Sequence, residues 1–160
     1  MVGRLFALGC ALILGACASS SVVPVSKTEF MLQASAAPAC GASKTAEFAA
    51  SMAAIETLRS GYDGFVILGG EAQNNVRVIQ RAPTYATTTS TYNVYGSSVY
   101  GESRTTYGGG GPVISGSHDQ SLFVRMFRRG DAGFAGAVDA RAMLGADWRE
   151  LVENGRATCT

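Results

Sequence analysis

Apolar and polar residues are distributed unevenly over the first forty positions of the chain. Residues 5–14 form an uninterrupted, largely apolar run. The run is too short for a membrane-spanning helix, which needs about 20 residues. Residues 18–38 are mostly Ser, Ala, Val and Pro with little periodicity. This composition predicts a flexible tether over 17–39, ahead of the first ordered element.

A helical period begins near Ser43, a residue type that caps the N-termini of helices. Phe48, Met52 and Ile55 recur at spacings of four and three, with alanines between them. This spacing predicts a helix that ends near Gly61 and whose small alanines allow close approach to a sheet.

Two strand-like segments follow the predicted helix. Residues 65–68 are apolar and β-rich, and residues 76–81 alternate between apolar and polar side chains as far as Pro83. Gly69-Gly70 lies between the two segments. We favour a bulge within one long strand over a genuine break at these glycines.

Residues 84–111 carry five of the six tyrosines among Thr, Ser and Gly, and they end in four consecutive glycines. Thr and Tyr favour strands, but the glycines leave the segment without a core of its own. The pattern predicts a long, irregular β-arm or hairpin. A regular strand is predicted at 121–127, with Leu122, Val124 and Met126 on one face.

The C-terminal region is predicted to be helical. Residues 137–144 favour a short helix that Gly145 ends, and Asp147 is placed to cap a last helix that carries Trp148 and Leu151. The order of elements indicates an α+β fold in which a small antiparallel sheet with the long arm packs against an N-terminal helix and short C-terminal helices. Residues 40–160 are predicted to form this single domain.

Composition indicates a folded protein and argues against one class of partner. Of the 160 residues, 47% are hydrophobic and 16% are charged, which is typical of a globular chain. The formal net charge is +1, and the longest basic run is Arg128-Arg129. Nucleic acid is not an expected partner, because phosphate binding needs a concentrated basic face.

The apolar run closes on Leu14-Gly15-Ala16-Cys17, which resembles the lipobox of bacterial lipoprotein signals. Small residues before the cysteine leave the extended backbone accessible to the signal peptidase, and the thiol of Cys17 is then the lipid acceptor. Residues 1–16 are therefore predicted to be a lipoprotein signal peptide. The alternatives are an ordinary signal peptide, with Cys17 incidental, or a buried apolar helix.

Lipidation at Cys17 would make a membrane the first partner of the chain, since two or three acyl chains anchor a protein firmly. Ala18 follows the cysteine, whereas an Asp at that position favours retention in the inner membrane. By analogy with this sorting pattern, the predicted location is the bacterial cell envelope, at the outer membrane and facing the periplasm.

Two cysteines remain once Cys10 is assigned to the signal and Cys17 to the lipid. An exported domain lies in an oxidising compartment in which disulfides persist. A disulfide between Cys40 and Cys159 is therefore predicted, with two free thiols as the alternative.

Three short motifs contain residue types that are used in catalysis or ligand binding. Ser117-His118-Asp119 has the composition of a catalytic triad, but sequence neighbours that enter a strand point to opposite faces, so a turn is favoured. His118 lacks partners at metal-ligand spacing. Glycines 108–111 lack the Lys-Ser/Thr that follows in a phosphate-binding loop. We predict no catalytic residue, no metal site and no cofactor, and hence no enzyme.

The tyrosines of 84–111 are the one feature with clear binding potential. Exposed Tyr92, Tyr95 and Tyr100 would offer flat apolar faces and hydroxyls that suit a cell-wall glycan or an envelope protein. The alternative is that these rings pack across strands on their own sheet.

Several segments between Cys40 and Cys159 together resemble a known family. They are LRSGYDGF at 58–65, QNNVRV at 73–78, the Tyr/Thr/Gly-rich stretch, GSHDQ at 116–120 and DAR at 139–141. The set is similar to that of short, uncharacterised envelope lipoproteins of alphaproteobacteria. The resemblance implies a lipid-anchored envelope protein and adds no chemistry. We expect a non-enzymatic structural or interaction role, with a binding module that acts through residues 84–111 as the alternative.

Overall fold

The computed structural model describes residues 17–95 and 97–159, so the predicted signal peptide at 1–16 lies outside the described residues. The helices and strands, in chain order, are β1 (Ala18–Pro24), β2 (Glu29–Ala36), α1 (Gly41–Arg59), β3 (Gly64–Asn74), β4 (Arg77–Arg81), β5 (Tyr85–Tyr95), β6 (Ser98–Gly108), β7 (Gly111–Ser115), β8 (His118–Phe127), β9 (Val138–Asp139), α2 (Ala140–Leu144) and α3 (Trp148–Asn154). The predicted α+β class is confirmed, with antiparallel sheets, an N-terminal helix and short C-terminal helices. None of the helices in the described ranges is long and apolar enough to cross a membrane.

The chain divides into two compact units rather than one domain. Unit 1 comprises the described residues up to Asn75 and those from Ser117 onward, and unit 2 comprises Val76–Gly116. The predicted single domain over 40–160 is therefore wrong. Unit 1 extends N-terminally beyond Cys40, and the strands of 76–116 pair with one another in sheets of their own.

Unit 1 is built on a five-stranded sheet with the order β1-β2-β8-β3-β9. Every neighbouring pair in it is antiparallel. Alternate side chains of the central strands β2 and β8 are buried on the same face, as the period of two predicts for 121–127. These buried residues are Phe30, Leu32, Ala34, Ala36, Leu122, Val124 and Met126.

Helix α1 covers the buried face of the sheet and confirms the helical prediction. Phe48, Met52 and Ile55 are buried, as are three of the alanines between them. Three hydroxyl residues are also buried in α1, and each donates its hydroxyl to the carbonyl four residues earlier. Because those bonds satisfy the hydroxyls, polar residues are tolerated on the packed face. The three are Thr45, Ser51 and Thr57.

The flexible tether predicted for 17–39 is wrong. Strand β1 pairs with β2 along its whole length, and β2 continues the pairing onto β8 inside the sheet. Phe30 is 2% exposed and Leu32 is fully buried. The buried positions of 30–36 do alternate, but two of them are alanines. Alanine side chains pack closely under α1, but they are too small to make the period of two in hydrophobicity evident in the sequence.

Strand β3 contains the bulge that was predicted at its glycines, because its register on β8 shifts between Ile67 and Gly69. A Cβ added at Gly70 would lie 3.0 Å from Leu122 Cδ2, so the close approach of the strands favours glycine there. The prediction that this strand continues through 76–81 is wrong. Strand β3 ends at Asn74, and residues 77–81 belong to a separate sheet.

The C-terminal elements close unit 1. Helix α2 begins at Ala140, three residues later than expected, because Asp139 caps it: Asp139 Oδ1 accepts from the backbone amides of Arg141 and Ala142 at 3.0 Å each. The predicted Cys40–Cys159 disulfide is confirmed. Its Cα atoms are 5.9 Å apart, and it joins residues separated by 119 positions.

Candidate functional site

Cys17, the predicted lipid acceptor, is exposed and lies outside the disulfide. Its backbone belongs to the fold, since it forms an antiparallel bridge with Thr158 and its carbonyl accepts from Ala37 N at 3.1 Å. The next amide, that of Ala18, donates to Ala157 O at 3.0 Å. No flexible spacer therefore separates Cys17 from unit 1.

Cys17 marks one end of the five-stranded sheet. The register places Ala18 beside Ala36, Ala36 beside His118 and His118 beside Asn74, so these four residues form a row across that end. The chain leaves unit 1 after Asn75 and returns at Ser117, one position beyond this row. The predicted anchor and the two connections to unit 2 thus share one end of unit 1.

A carboxylate holds the two connecting strands together at this end. Asp119 accepts hydrogen bonds from Ser35 Oγ at 2.6 Å, Asn75 Nδ2 at 2.6 Å and Ser117 Oγ at 3.1 Å. Asn75 N also donates to Ser117 O at 2.9 Å. The pKa of Asp119 lies below its ordinary value, mainly because Ser35 donates a hydrogen bond to the carboxylate. Partial burial acts in the opposite direction and raises the pKa. The hydrogen bonds from Asn75 and Ser117 and the charge of His118 lower it further.

The three residues of the triad-like motif are not arranged as a triad. Ser117 donates directly to Asp119, so no imidazole lies between the hydroxyl and the carboxylate. His118 begins β8 and precedes Asp119 by one position, so their side chains project from opposite faces of the strand. His118 Nδ1 is buried without a hydrogen-bond partner within the described residues. Ser117 and Asp119 instead bond to each other through their side chains.

No cluster of three or more His, Cys, Asp and Glu residues that could hold a metal ion occurs in ranges 17–95 and 97–159. The side chains near Asp119 are mostly hydroxyl and amide groups, with the carboxylate of Glu71 among them. A groove of about 420 Å³ lies there on the exposed sheet face, opposite α1. Its lining contains Ser19, Ser21, Gln33, Glu71, Gln73 and Ser121 beside Asp119. The sequence reasoning missed this groove because half of its lining lies in the segment that was assigned to a tether.

Unit 2, which we call the β-ribbon, consists of two antiparallel strand pairs, β4 with β7 and β5 with β6. The hairpin predicted for 84–111 is more regular than expected, since its two strands of 11 residues pair without a register shift. No described side chain of the β-ribbon is buried. Large apolar residues are exposed on it, including Val78 at 63% and Ile114 at 65%.

The three tyrosines predicted as one binding surface do not share a face. Tyr92 pairs with Gly101 and Tyr100 pairs with Asn93, so the pleat places Tyr92 and Tyr100 on opposite faces of the hairpin. The backbone of Tyr95 pairs with Ser98, and its side chain lies outside the described part.

Tyr92 also packs on its own hairpin, as the alternative interpretation proposed. A Cβ added at Gly101 would lie 2.8 Å from the Tyr92 ring, so the ring covers the glycine. The other side of the ring faces outward, because Tyr92 remains 69% exposed. The hydroxyls of Thr88 and Thr105 meet at 2.9 Å across the same pair of strands.

Two of the segments that carry the family resemblance, 58–65 and 139–141, meet in unit 1. Asp63 forms an ion pair with Arg141 at 3.2 Å, and Asp139 forms one with Arg129 at 2.7 Å. These contacts fix the corner between β3 and α2, and the resemblance itself stays a prediction. No protein-family model, no curated protein and no solved structure matches the chain.

Proposed function

We propose that this protein is a lipid-anchored component of a bacterial cell envelope, attached through Cys17, with a non-enzymatic structural or interaction role. The lipobox-like sequence before Cys17 supports the anchor. The exposure of Cys17 supports it as well, since a lipid acceptor has to lie at the surface. The predicted location is the outer membrane, on the periplasmic side.

The β-ribbon is the observation that carries the interaction role. It has no buried side chain among its described residues, and a two-stranded ribbon alone in water is at best marginally stable. Burial against another molecule would supply the missing stabilisation. Val78 and Ile114 lie directly opposite each other and offer an apolar patch for this purpose.

The backbone contacts of Cys17 determine how an anchored unit 1 would be held. Cys17 is bridged to Thr158, so acyl chains on its thiol would begin at the surface of the fold itself. Unit 1 would then rest against the membrane with the Cys17 end of its sheet, rather than hang from a long linker. This end contains the Cys40–Cys159 disulfide, which holds the C-terminal segment beside the anchor.

Membrane fractionation of the full chain tests the anchor. Cys17→Ser should move the protein from the membrane fraction to the soluble fraction, because the lipid acceptor is lost. Cys10→Ser is the matched control, since Cys10 lies inside the predicted signal, and it should leave the protein in the membrane. If Cys17→Ser stayed membrane-bound like the control, the anchor would lie elsewhere.

A second candidate function is binding of cell-wall glycan by the β-ribbon. The observation that favours it is the exposure of the rings, 69% for Tyr92 and 64% for Tyr100, since flat aromatic faces stack on sugar rings. Cosedimentation with purified peptidoglycan tests it. The double variant Tyr92→Ser/Tyr100→Ser should abolish binding, whereas Tyr92→Phe/Tyr100→Phe should retain it, since the two rings lie on opposite faces and either could stack on a sugar. Equal binding by all variants would exclude this role.

A further inference from the structure

The outer edge of β6 has the features of a strand that pairs with another strand. Among the strands that the structure describes, β6 pairs only with β5, so its other edge is the edge of a sheet. The strand is 11 residues long, contains no proline and has no register shift. Proteins usually protect long regular edges with prolines, bulges or charged side chains; β6 has no proline and no bulge, and its two charges are of opposite sign.

The charges of the hairpin lie on β6 alone. Strand β5 has none, whereas β6 carries Glu102 and Arg104, one on each side of Ser103. Both are exposed, and neither forms an ion pair with another residue of ranges 17–95 and 97–159. They project from the same face, because they are two positions apart on one strand.

This arrangement is complementary to itself. If two β6 strands pair antiparallel with Ser103 opposite Ser103, Glu102 of each copy lies opposite Arg104 of the other. The pairing therefore forms two equivalent cross-strand ion pairs, as a two-fold axis requires. A shift of the register by two residues would separate both pairs, so the charges also select this register.

The hydrogen-bonding pattern of the hairpin fits the same register. The hydroxyls of Ser90 and Ser103 meet at 2.9 Å, as do those of Thr88 and Thr105. Such close side chains are typical of antiparallel pairs whose backbone groups point away from each other. The amide and carbonyl of Ser103 are then directed to the outer edge, where a second β6 can bond them.

We propose that two copies of this chain associate through antiparallel pairing of their β6 strands, with the two-fold axis at Ser103. The product is a four-stranded sheet in the order β5-β6-β6-β5. A sheet needs about three or more strands to be stable by itself, and the two-stranded hairpin falls short of that number. This inference rests on the proposed interaction role of the β-ribbon and names its partner, but it does not depend on the lipid anchor.

Charge variants of the full chain test the proposal by sedimentation equilibrium, in a Cys17→Ser background so that acyl chains do not drive association. Glu102→Arg and Arg104→Glu should each weaken the dimer by about tenfold, because each places like charges opposite each other twice. The double variant Glu102→Arg/Arg104→Glu should restore the wild-type dimer. A mixture of the two single variants should form heterodimers, since their strands are complementary.

Cross-linking tests the position of the axis. Ser103→Cys should give a disulfide-linked dimer on mild oxidation, because paired residues at the axis have Cα atoms about 5.5 Å apart, within the reach of a disulfide. Ser90→Cys is the matched control on the same face of β5. In the dimer its two copies would lie about 14 Å apart, three strand spacings, and should not form a disulfide.

A monomeric wild-type chain, a dimer insensitive to Glu102→Arg, or equal cross-linking at both positions would each overturn the β6 pairing. None of these results touches the anchor, which fractionation of Cys17→Ser measures separately. A monomer whose β-ribbon still binds peptidoglycan would overturn self-pairing while the interaction role survives.

Discussion

Removal of the Cys40–Cys159 disulfide should destabilise unit 1 strongly. The bond joins residues 119 positions apart, and the chain-entropy relation gives about 5 kcal/mol for a closed loop of that length at 25 °C. Whole domains are stable by only about 5–15 kcal/mol, so the loss is a large share of the total. Cys40→Ala/Cys159→Ala is the preferred variant, because both residues are 6% exposed and alanine buries no new polar group.

Urea unfolding followed by the fluorescence of Trp148 measures this loss. Trp148 is the only tryptophan of the chain and begins α3, so it reports on unit 1. With a slope of about 2 kcal/mol per M of urea, a loss of 4–5 kcal/mol lowers the midpoint by about 2 M. Reduction of the wild-type protein should lower it equally. Cys17→Ala is the control and should leave the midpoint unchanged, since Cys17 lies outside the disulfide.

A midpoint change below about 0.3 M in the double variant would refute this reasoning. Such a result would mean that the unfolded chain is already held compact without the bond. A shift seen with the variant but not on reduction would instead assign the loss to packing at the two buried positions.

Three further changes test the fold and its polar contacts. Asp119→Ala should lower the stability of unit 1 by about 1–2 kcal/mol in thermal unfolding, because three donors lose their acceptor. The folded pKa of Asp119 lies below its ordinary value of 3.8, so its contribution is complete above that value and is lost as the pH falls further. The difference between wild type and variant should therefore shrink in acid, and a constant difference would contradict the assignment. Ala53→Leu should cost about 1–3 kcal/mol by overpacking the fully buried face of α1, whereas Ala46→Leu at an exposed position should cost little. Gly101→Val should displace the ring of Tyr92, visible as a changed tyrosine NMR signal, and an unchanged signal would contradict the packing of that ring.

The sequence predicts those helices and strands in which large apolar residues recur with a clear helical or strand period. Helix α1 has large apolar residues at helical spacing, and β8 alternates Leu122, Val124 and Met126 with polar or outward-facing residues, so both were found. The disulfide followed from counting cysteines in a chain that was predicted to be exported. Strand β2 was missed because alanines occupy half of its buried positions. Strand β2 is buried because β1, β8 and α1 pack around it, and the pattern of residues along 29–36 alone does not show this.

The division into two units could not be found from local pattern either. Residues 76–81 follow β3 closely with a strand-like alternation of their own, and only their pairing with 111–115 separates them into another sheet. The prediction that the tyrosines form one binding surface was wrong for a related reason. Tyr92 and Tyr100 are both even-numbered, but the hairpin pairs even with odd positions, so they lie on opposite faces. Register across a turn, and not spacing along one strand, decides which side chains meet.

We propose that Cys17 begins the mature chain and carries the lipid, with unit 1 folded directly from it. Intact-mass spectrometry of the protein extracted from membranes tests this most directly. The expected mass equals that of residues 17–160 plus acyl groups, minus two hydrogens for the Cys40–Cys159 disulfide. An unacylated mass, or a mass that retains residues 1–16, would contradict it.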